Sequence, residues 1–122
     1  MSTSFNHTIV YAKDRDRSAA FFTDLFGLPD AVPTGVFLSV RLDNDVTLDF
    51  DGPLDEVQSQ HYAFHVSEDQ FDAVYGRIVE RGLEHWADPR RSVRGEVNTH
   101  NGGRGVYFED PSGHFMEILT RP

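Results

Sequence analysis

Apolar and polar positions change period along this chain, and the changes mark out elements. Phe5 to Ala12 (FNHTIVYA) alternates and predicts a strand. Asp14 to Phe26 then sets Ala19, Phe22 and Phe26 at helical spacing, with Gly27 as a stop and Pro29 just beyond. Val36 to Leu42 and Val46 to Asp51 are β-rich runs split by the turn signal Asp43-Asn44-Asp45, and Ala31 to Pro33 leaves room for one more short strand. After the polar stretch Gly52 to Gln60, His61 to Val66 (HYAFHV) predicts a strand. Glu68 to Arg81 predicts a helix with the apolar stripe Phe71, Val74, Tyr75, Ile78 and Val79, closed by Gly82. The remainder is looser: a short segment at Leu83 to Ala87, a turn-rich Asp88 to Gly95, a strand near Glu96 to His100, then Gly105 to Glu109, a turn at Asp110 to Gly113, and His114 to Thr120.

The same order of elements occurs twice. The opening strands carry His7 and His61, 54 residues apart, and the helix-ending Gly27 and Gly82 are 55 apart. Near-equal offsets predict two copies of one β–α–β–β–β module, the first at about 1–53 and the second at about 60–122, within a single domain spanning 1–122. The last strand of each copy has a carboxylate at its middle, Asp49 in the first and Glu117 in the second.

Composition narrows the chemistry. The 122 residues include no cysteine, which excludes disulfides, thiolate metal sites and a cysteine nucleophile and leaves His and carboxylates as the strong metal ligands. Eleven Lys and Arg against 20 Asp and Glu give a formal charge of −9, a poor match for nucleic acid, and the one basic cluster is Arg90, Arg91 and Arg94. No apolar run approaches the roughly 18 residues of a membrane span, and the start lacks a signal-peptide pattern, so the expectation is a cytoplasmic protein away from membranes.

Strand alternation puts His61, Ala63 and His65 on one face and Tyr62, Phe64 and Val66 on the other. By the same rule His7, Asp49 and Glu117 fall opposite the apolar sets that pack under the helices. Were the two sheets to curve toward each other, His7, Asp49, His61 and Glu117 would converge in a central cavity. Two imidazoles and one or two carboxylates suit a divalent ion with an open position, such as Fe, Mn, Ni, Co or Zn. Arg41, Trp86, Arg104 and Tyr107 are the candidates for substrate contact, because Arg and aromatic side chains orient organic anions and rings. His65 is expected on the cavity wall. His114 reads as a solvated turn residue, and His100 as a possible neighbour of the cavity mouth. Gly102, Gly103 and Gly105 lack the strand and helix context of a phosphate loop and read as turn glycines.

Nearly the whole chain resembles the vicinal oxygen chelate superfamily, which includes glyoxalase I, fosfomycin-resistance proteins, extradiol dioxygenases and bleomycin-binding proteins. The motifs that carry the resemblance are FNHTIVYA with its helix, HYAFHV with its helix, and YFEDPSGHFMEIL at the end. The resemblance implies an α+β fold of two βαβββ modules forming a cupped mixed sheet, and metal ligation by His7, His61 and Glu117. Asp49 stands where glyoxalase I has a fourth ligand, a glutamate one methylene longer, so the resemblance implies a direct ligand, one that reaches the ion through a water, or a free general base. The function expected is a metal-dependent lyase or isomerase that chelates vicinal oxygens of a small substrate, with Asp49 and Glu117 as catalytic carboxylates and a homodimer as the assembly. The alternatives are a metal-free module sequestering a cationic drug, which the acidity favours, and an extradiol-type dioxygenase. Fosfomycin resistance ranks lower, because Ile9 stands where those proteins resemble one another in having Thr and their basic loop is not recognisable.

Overall fold

In the computed structural model, which describes residues 2–122, the chain divides into two compact units, residues 1–57 and 58–122, and each is a complete βαβββ module. The fold is α+β. The first unit runs β1 (His7–Tyr11), α1 (Arg15–Phe26), β2 (Val32–Thr34), β3 (Phe37–Arg41) and β4 (Thr47–Asp51). The second runs β5 (His61–His65), α2 (Glu68–Glu80), β6 (His85–Trp86), β7 (Gly105–Glu109) and β8 (Phe115–Leu119). Each module makes its own four-stranded mixed sheet, in the orders β1-β4-β3-β2 and β5-β8-β7-β6.

Both helices begin and end where side-chain chemistry dictates. The Asp14 carboxylate accepts the amide of Arg17 at 3.1 Å, and Ser67 accepts that of Gln70 at 3.1 Å, so each supplies an acceptor to an otherwise orphaned first-turn donor. Gly27 closes α1 in the left-handed region at φ 67°. Gly82 does the same after α2 at φ 65°, with Leu83 N–H on the Ile78 carbonyl and Gly82 N–H on that of Val79. The turn between β3 and β4 closes with Asp45 at φ 66°, a conformation Asp tolerates better than most residues.

Each sheet contributes one face to a core. Val10, Val40, Leu48 and Phe50 are buried in the first unit, together with Ala19, Phe22, Leu25 and Phe26 of α1. The second core is built from Phe71, Val74 and Ile78 of α2 with Val106, Phe108, Met116 and Ile118. Two expectations need correction here. Val79, counted into the α2 stripe, is 53% exposed, because it lies a full residue's rotation past Ile78. The segment near Glu96 to His100 forms no strand: Asn98 makes a single bridge to Gly105, and a short 3-10 turn follows at His100–Gly102. Gly103 shows why this stretch needs glycine, since a Cβ there would lie 2.6 Å from Thr120 Oγ1.

The internal repeat holds to the residue. His7 pairs with Thr47 across β1 and β4, and His61 pairs with Phe115 across β5 and β8, so each histidine sits two positions before its module's acid. Across the antiparallel neighbour, Asp49 faces Ser39 and Glu117 faces Tyr107.

Candidate metal centre

On β5 the exposed positions are His61, Ala63 and His65, with Tyr62 and Phe64 less exposed, and on β8 Glu117 faces away from the buried Met116 and Ile118. Diagonal register on adjacent parallel strands brings His61 Nε2 to 3.0 Å from Glu117 Oε1. The other ring nitrogen, Nδ1, donates to the Phe115 carbonyl at 3.0 Å. With Nδ1 so engaged, Nε2 is the ring nitrogen left to face the carboxylate and an ion beside it. Two ligands at right angles on an ion with bonds of about 2.1 Å stand about 3 Å apart, so the pair fits adjacent N and O donors of a divalent site. Among the described residues, no three His, Cys, Asp or Glu side chains gather closely enough to enclose an ion by themselves.

The Glu117 carboxylate also accepts the Tyr107 hydroxyl. Burial first, then the charge of Glu117 and this hydrogen bond, hold the phenol above its ordinary pKa. Tyr107 stacks on Phe115 with centroids 5.3 Å apart and planes 15° apart, and on His61 at 6.0 Å and 27°. The guanidinium of Arg91 lies 4.4 Å over the Phe115 ring and 5.5 Å from Trp86, while ion-pairing with Glu109 at 2.7 Å. Trp86 and Tyr107 are buried, so both border this face mainly as packing beneath Phe115.

His7 and Asp49 belong to the first unit and line the same groove there, about 580 Å³ in volume, with Asn6, Ser39, Arg41 and Thr47 among its walls. Ser39 donates to Asp49 Oδ1 at 2.6 Å, a charge-assisted length. His7 Nδ1 pairs with Asn6 Oδ1 at 2.7 Å. Arg41 is three-quarters exposed and reaches Asp45 only at 4.0 Å, so its guanidinium is open to a ligand.

Two other candidates are engaged elsewhere. Arg104 is bound at every guanidinium nitrogen: Nε to Glu68 Oε1 at 3.0 Å, Nη1 to Asp72 at 2.7 Å and Nη2 to the Glu68 carbonyl at 3.2 Å, with Phe71 4.4 Å beneath. Arg104 thus ties the start of β7 to the first turns of α2, and the hydrogen bond to Asp72, then that to Glu68, raise its pKa. His65 Nε2 meets the Thr120 carbonyl at 3.1 Å. His114, expected in solvent, is instead 1% exposed and part of a buried turn. His85 is held between the Leu83 carbonyl and the Tyr75 hydroxyl, and His100 is exposed. Strand alternation could not reveal Ser39 or Phe115 as partners, because their part depends on cross-strand register; a hydroxyl residue ten positions before the acid, across a predicted hairpin, was the available signal for Ser39.

Comparison with known proteins agrees with this architecture. A solved structure titled Oxidase ChaP-H1 is 56% identical, with a TM-score of 0.96 over 99% of this chain and 98% of that one. Glutathione transferase FosA of Serratia marcescens is 30% identical over 97% of this chain and 81% of its own length. Metallothiol transferase FosB of Lysinibacillus sphaericus (strain C3-41) is 27% identical over 96% and 82%. Residues 4–118 match the Glyoxalase/Bleomycin resistance protein/Dioxygenase superfamily, and this chain belongs to that family.

Proposed function

We propose that the protein is a divalent-metal enzyme that oxidises a small organic substrate presenting two neighbouring oxygens, with His7, His61 and Glu117 as the metal ligands. The observation that carries the metal reading is His61, backed at Nδ1 by a carbonyl and facing Glu117 with Nε2. Two histidines and one carboxylate form the ligand type associated with non-haem Fe(II) oxygen chemistry. The 56% identity to a protein called an oxidase moves oxidation ahead of the isomerase or lyase chemistry that the sequence put first.

When bound, the ion would supply Lewis acidity to the chelated oxygens and the redox capacity that reaction with dioxygen requires. The chain's own side chains do the rest. Tyr107 donates to Glu117 and limits its rotation. Asp49, aligned by Ser39, is the base that takes a proton from a substrate hydroxyl. Arg41 attracts the resulting anion. The Ser39–Asp49 pair also supports a second reading, proton-transfer isomerisation, because a fixed base is what that reaction needs.

The test is to load the purified protein with Fe(II), Mn(II) or Zn(II), measure stoichiometry, and follow oxygen uptake with catechols, hydroxyketones and hemithioacetals. One ion per chain, lost in His61→Ala, with oxygen consumed in the Fe(II) form is the expected result. Stoichiometric metal retained by both His7→Ala and His61→Ala would overturn the ligand assignment. Turnover of a hemithioacetal without oxygen uptake would favour the isomerase reading, and micromolar binding of a cationic drug indifferent to metal, with no turnover, would favour a sequestering module.

A further inference from the structure

Three hydrogen bonds tie the start of β5 to the start of β8. Phe115 N–H donates to the Gln60 carbonyl at 2.8 Å, His61 Nδ1 donates to the Phe115 carbonyl at 3.0 Å, and Gln60 N–H donates to His114 Nδ1 at 3.0 Å. The first belongs to the ladder of any parallel strand pair. The third is made by a histidine that is 1% exposed, its ring set edge-on to Tyr62 with centroids 5.4 Å apart. An imidazole nitrogen that accepts an amide proton carries none of its own, which fixes the tautomer with hydrogen on Nε2. Both backbone groups of Gln60 are therefore anchored on residues 114 and 115, and the planar peptide that follows carries His61.

This anchoring matters because of where His61 lies. It is the first residue of an edge strand, preceded by an irregular stretch from 52 to 60, and strand ends are where local opening concentrates. The placement of His114 is in turn set by Asp110. Asp110 Oδ1 accepts the amides of Ser112 at 3.0 Å and His114 at 2.8 Å, and the Asp110 carbonyl accepts that of Gly113 at 3.0 Å. Ser59 staples the same turn from the β5 side, its hydroxyl donating to the Gly113 carbonyl at 2.8 Å.

The first module is an internal control. His7 has the same register on Thr47 that His61 has on Phe115, and Thr47 N–H donates to the Asn6 carbonyl at 2.9 Å as Phe115 N–H does to Gln60. At the place of His114, however, the first module has Val46, which is buried and has no acceptor. The strand pairing is common to both copies, and the side-chain lock belongs to the second alone.

We propose that His114, set by Asp110, is a positioning residue that holds the start of β5 so that His61 Nε2 stays aimed at the Glu117 side of the metal site. The inference takes its purpose from the metal reading above, but its geometry stands on hydrogen bonds within one unit. His114→Phe keeps a ring and removes the acceptor. His114→Asn keeps the acceptor, because Asn Oδ1 stands as many bonds from the backbone as His Nδ1.

The variants are compared by Zn(II) titration and, in metal-free protein, by hydrogen exchange at the Gln60 amide and the His61 Nδ1 proton. His114→Phe is expected to weaken Zn(II) binding about 10- to 100-fold, the usual effect of losing a group that orients a ligand, and to speed both exchanges. His114→Asn should recover most of each loss. Val74→Ala, a buried truncation in α2, should lower the Tm and leave Zn(II) affinity unchanged. Unchanged Zn(II) affinity and exchange in His114→Phe, failure of Asn to rescue, or an equal affinity loss in Val74→Ala would overturn the proposal. If the wild type takes up no Zn(II), the metal reading fails while the two exchange rates still decide the lock. Should His114→Phe not fold, Ser59→Ala loosens the same turn from an exposed position; faster Gln60 exchange with several-fold weaker Zn(II) binding supports the lock, and no change in either overturns it.

Discussion

Asp49 is a carboxylate with one oxygen already committed to Ser39, so its charge and its direction can be tested separately. Asp49→Asn preserves shape and removes basicity, and turnover is expected to fall by roughly 10²- to 10⁴-fold with most of the metal retained. Ser39→Ala leaves the base but frees its rotation, so a smaller loss of turnover is expected, and steady-state kinetics on the two variants should rank them in that order. Asp110 offers a different test. Its Oδ2 is buried without a hydrogen-bond partner among the described residues, and burial raises its pKa above the ordinary 3.8 despite the amides on Oδ1. Between 3.8 and the raised value the folded protein holds more protons than the unfolded chain, so the contribution of Asp110 to stability falls as pH rises through that window. Asp110→Asn does not titrate, and its Tm relative to wild type should therefore be more favourable at about pH 7 than at about pH 4. Period-two alternation was enough to put His61 and Glu117 opposite the buried positions of their strands. The same alternation sets His114 in phase with Met116 and Ile118 on the buried face, and only its place just after a turn made it read as solvated.

At the scale of elements, one glycine inside α2 and one just past its end should respond to replacement with opposite signs. Gly82 has φ +65°, and an added Cβ would meet nothing within 4 Å, so Gly82→Ala pays only the left-handed penalty, a loss of about 1 kcal/mol. Gly76 lies inside the helix with the same open surroundings, and Gly76→Ala should stabilise by about 0.4–1 kcal/mol by restricting the unfolded chain. Chemical denaturation of both variants checks the pair. The helices were legible because caps, stops and apolar spacing agree for each. Between β6 and β7 the turns of Asp88 to Gly95 were legible from composition, but not what fixes them: the Asp88 carboxylate accepts the amides of Ser92 and Val93 and the Ser92 hydroxyl. Those contacts, the hydroxyl foremost, lower the pKa of Asp88. Loops tied by one side chain leave no periodic signal.

For the molecule as a whole, the strand orders leave β1 and β2 as the outer strands of one sheet and β5 and β6 as those of the other. Unpaired edges favour association, and we expect a homodimer, which sedimentation at micromolar concentration would reveal; a strict monomer with metal bound would remove any role for a second copy. Among the described residues no helix is long and apolar enough to cross a membrane. The duplication was readable in the offsets of His7, His61 and the two terminal glycines, whereas the pairing of hydroxyl residues against the acids was not, because register is a property of neighbours distant in sequence. That every ladder closes within its own module has a topological consequence: the order of the two halves along the chain is free. A permuted protein that begins at Gln58, joins Pro122 to Met1 through a flexible linker and ends at Val57 breaks no strand pairing, and inherits both sheets with their registers unaltered.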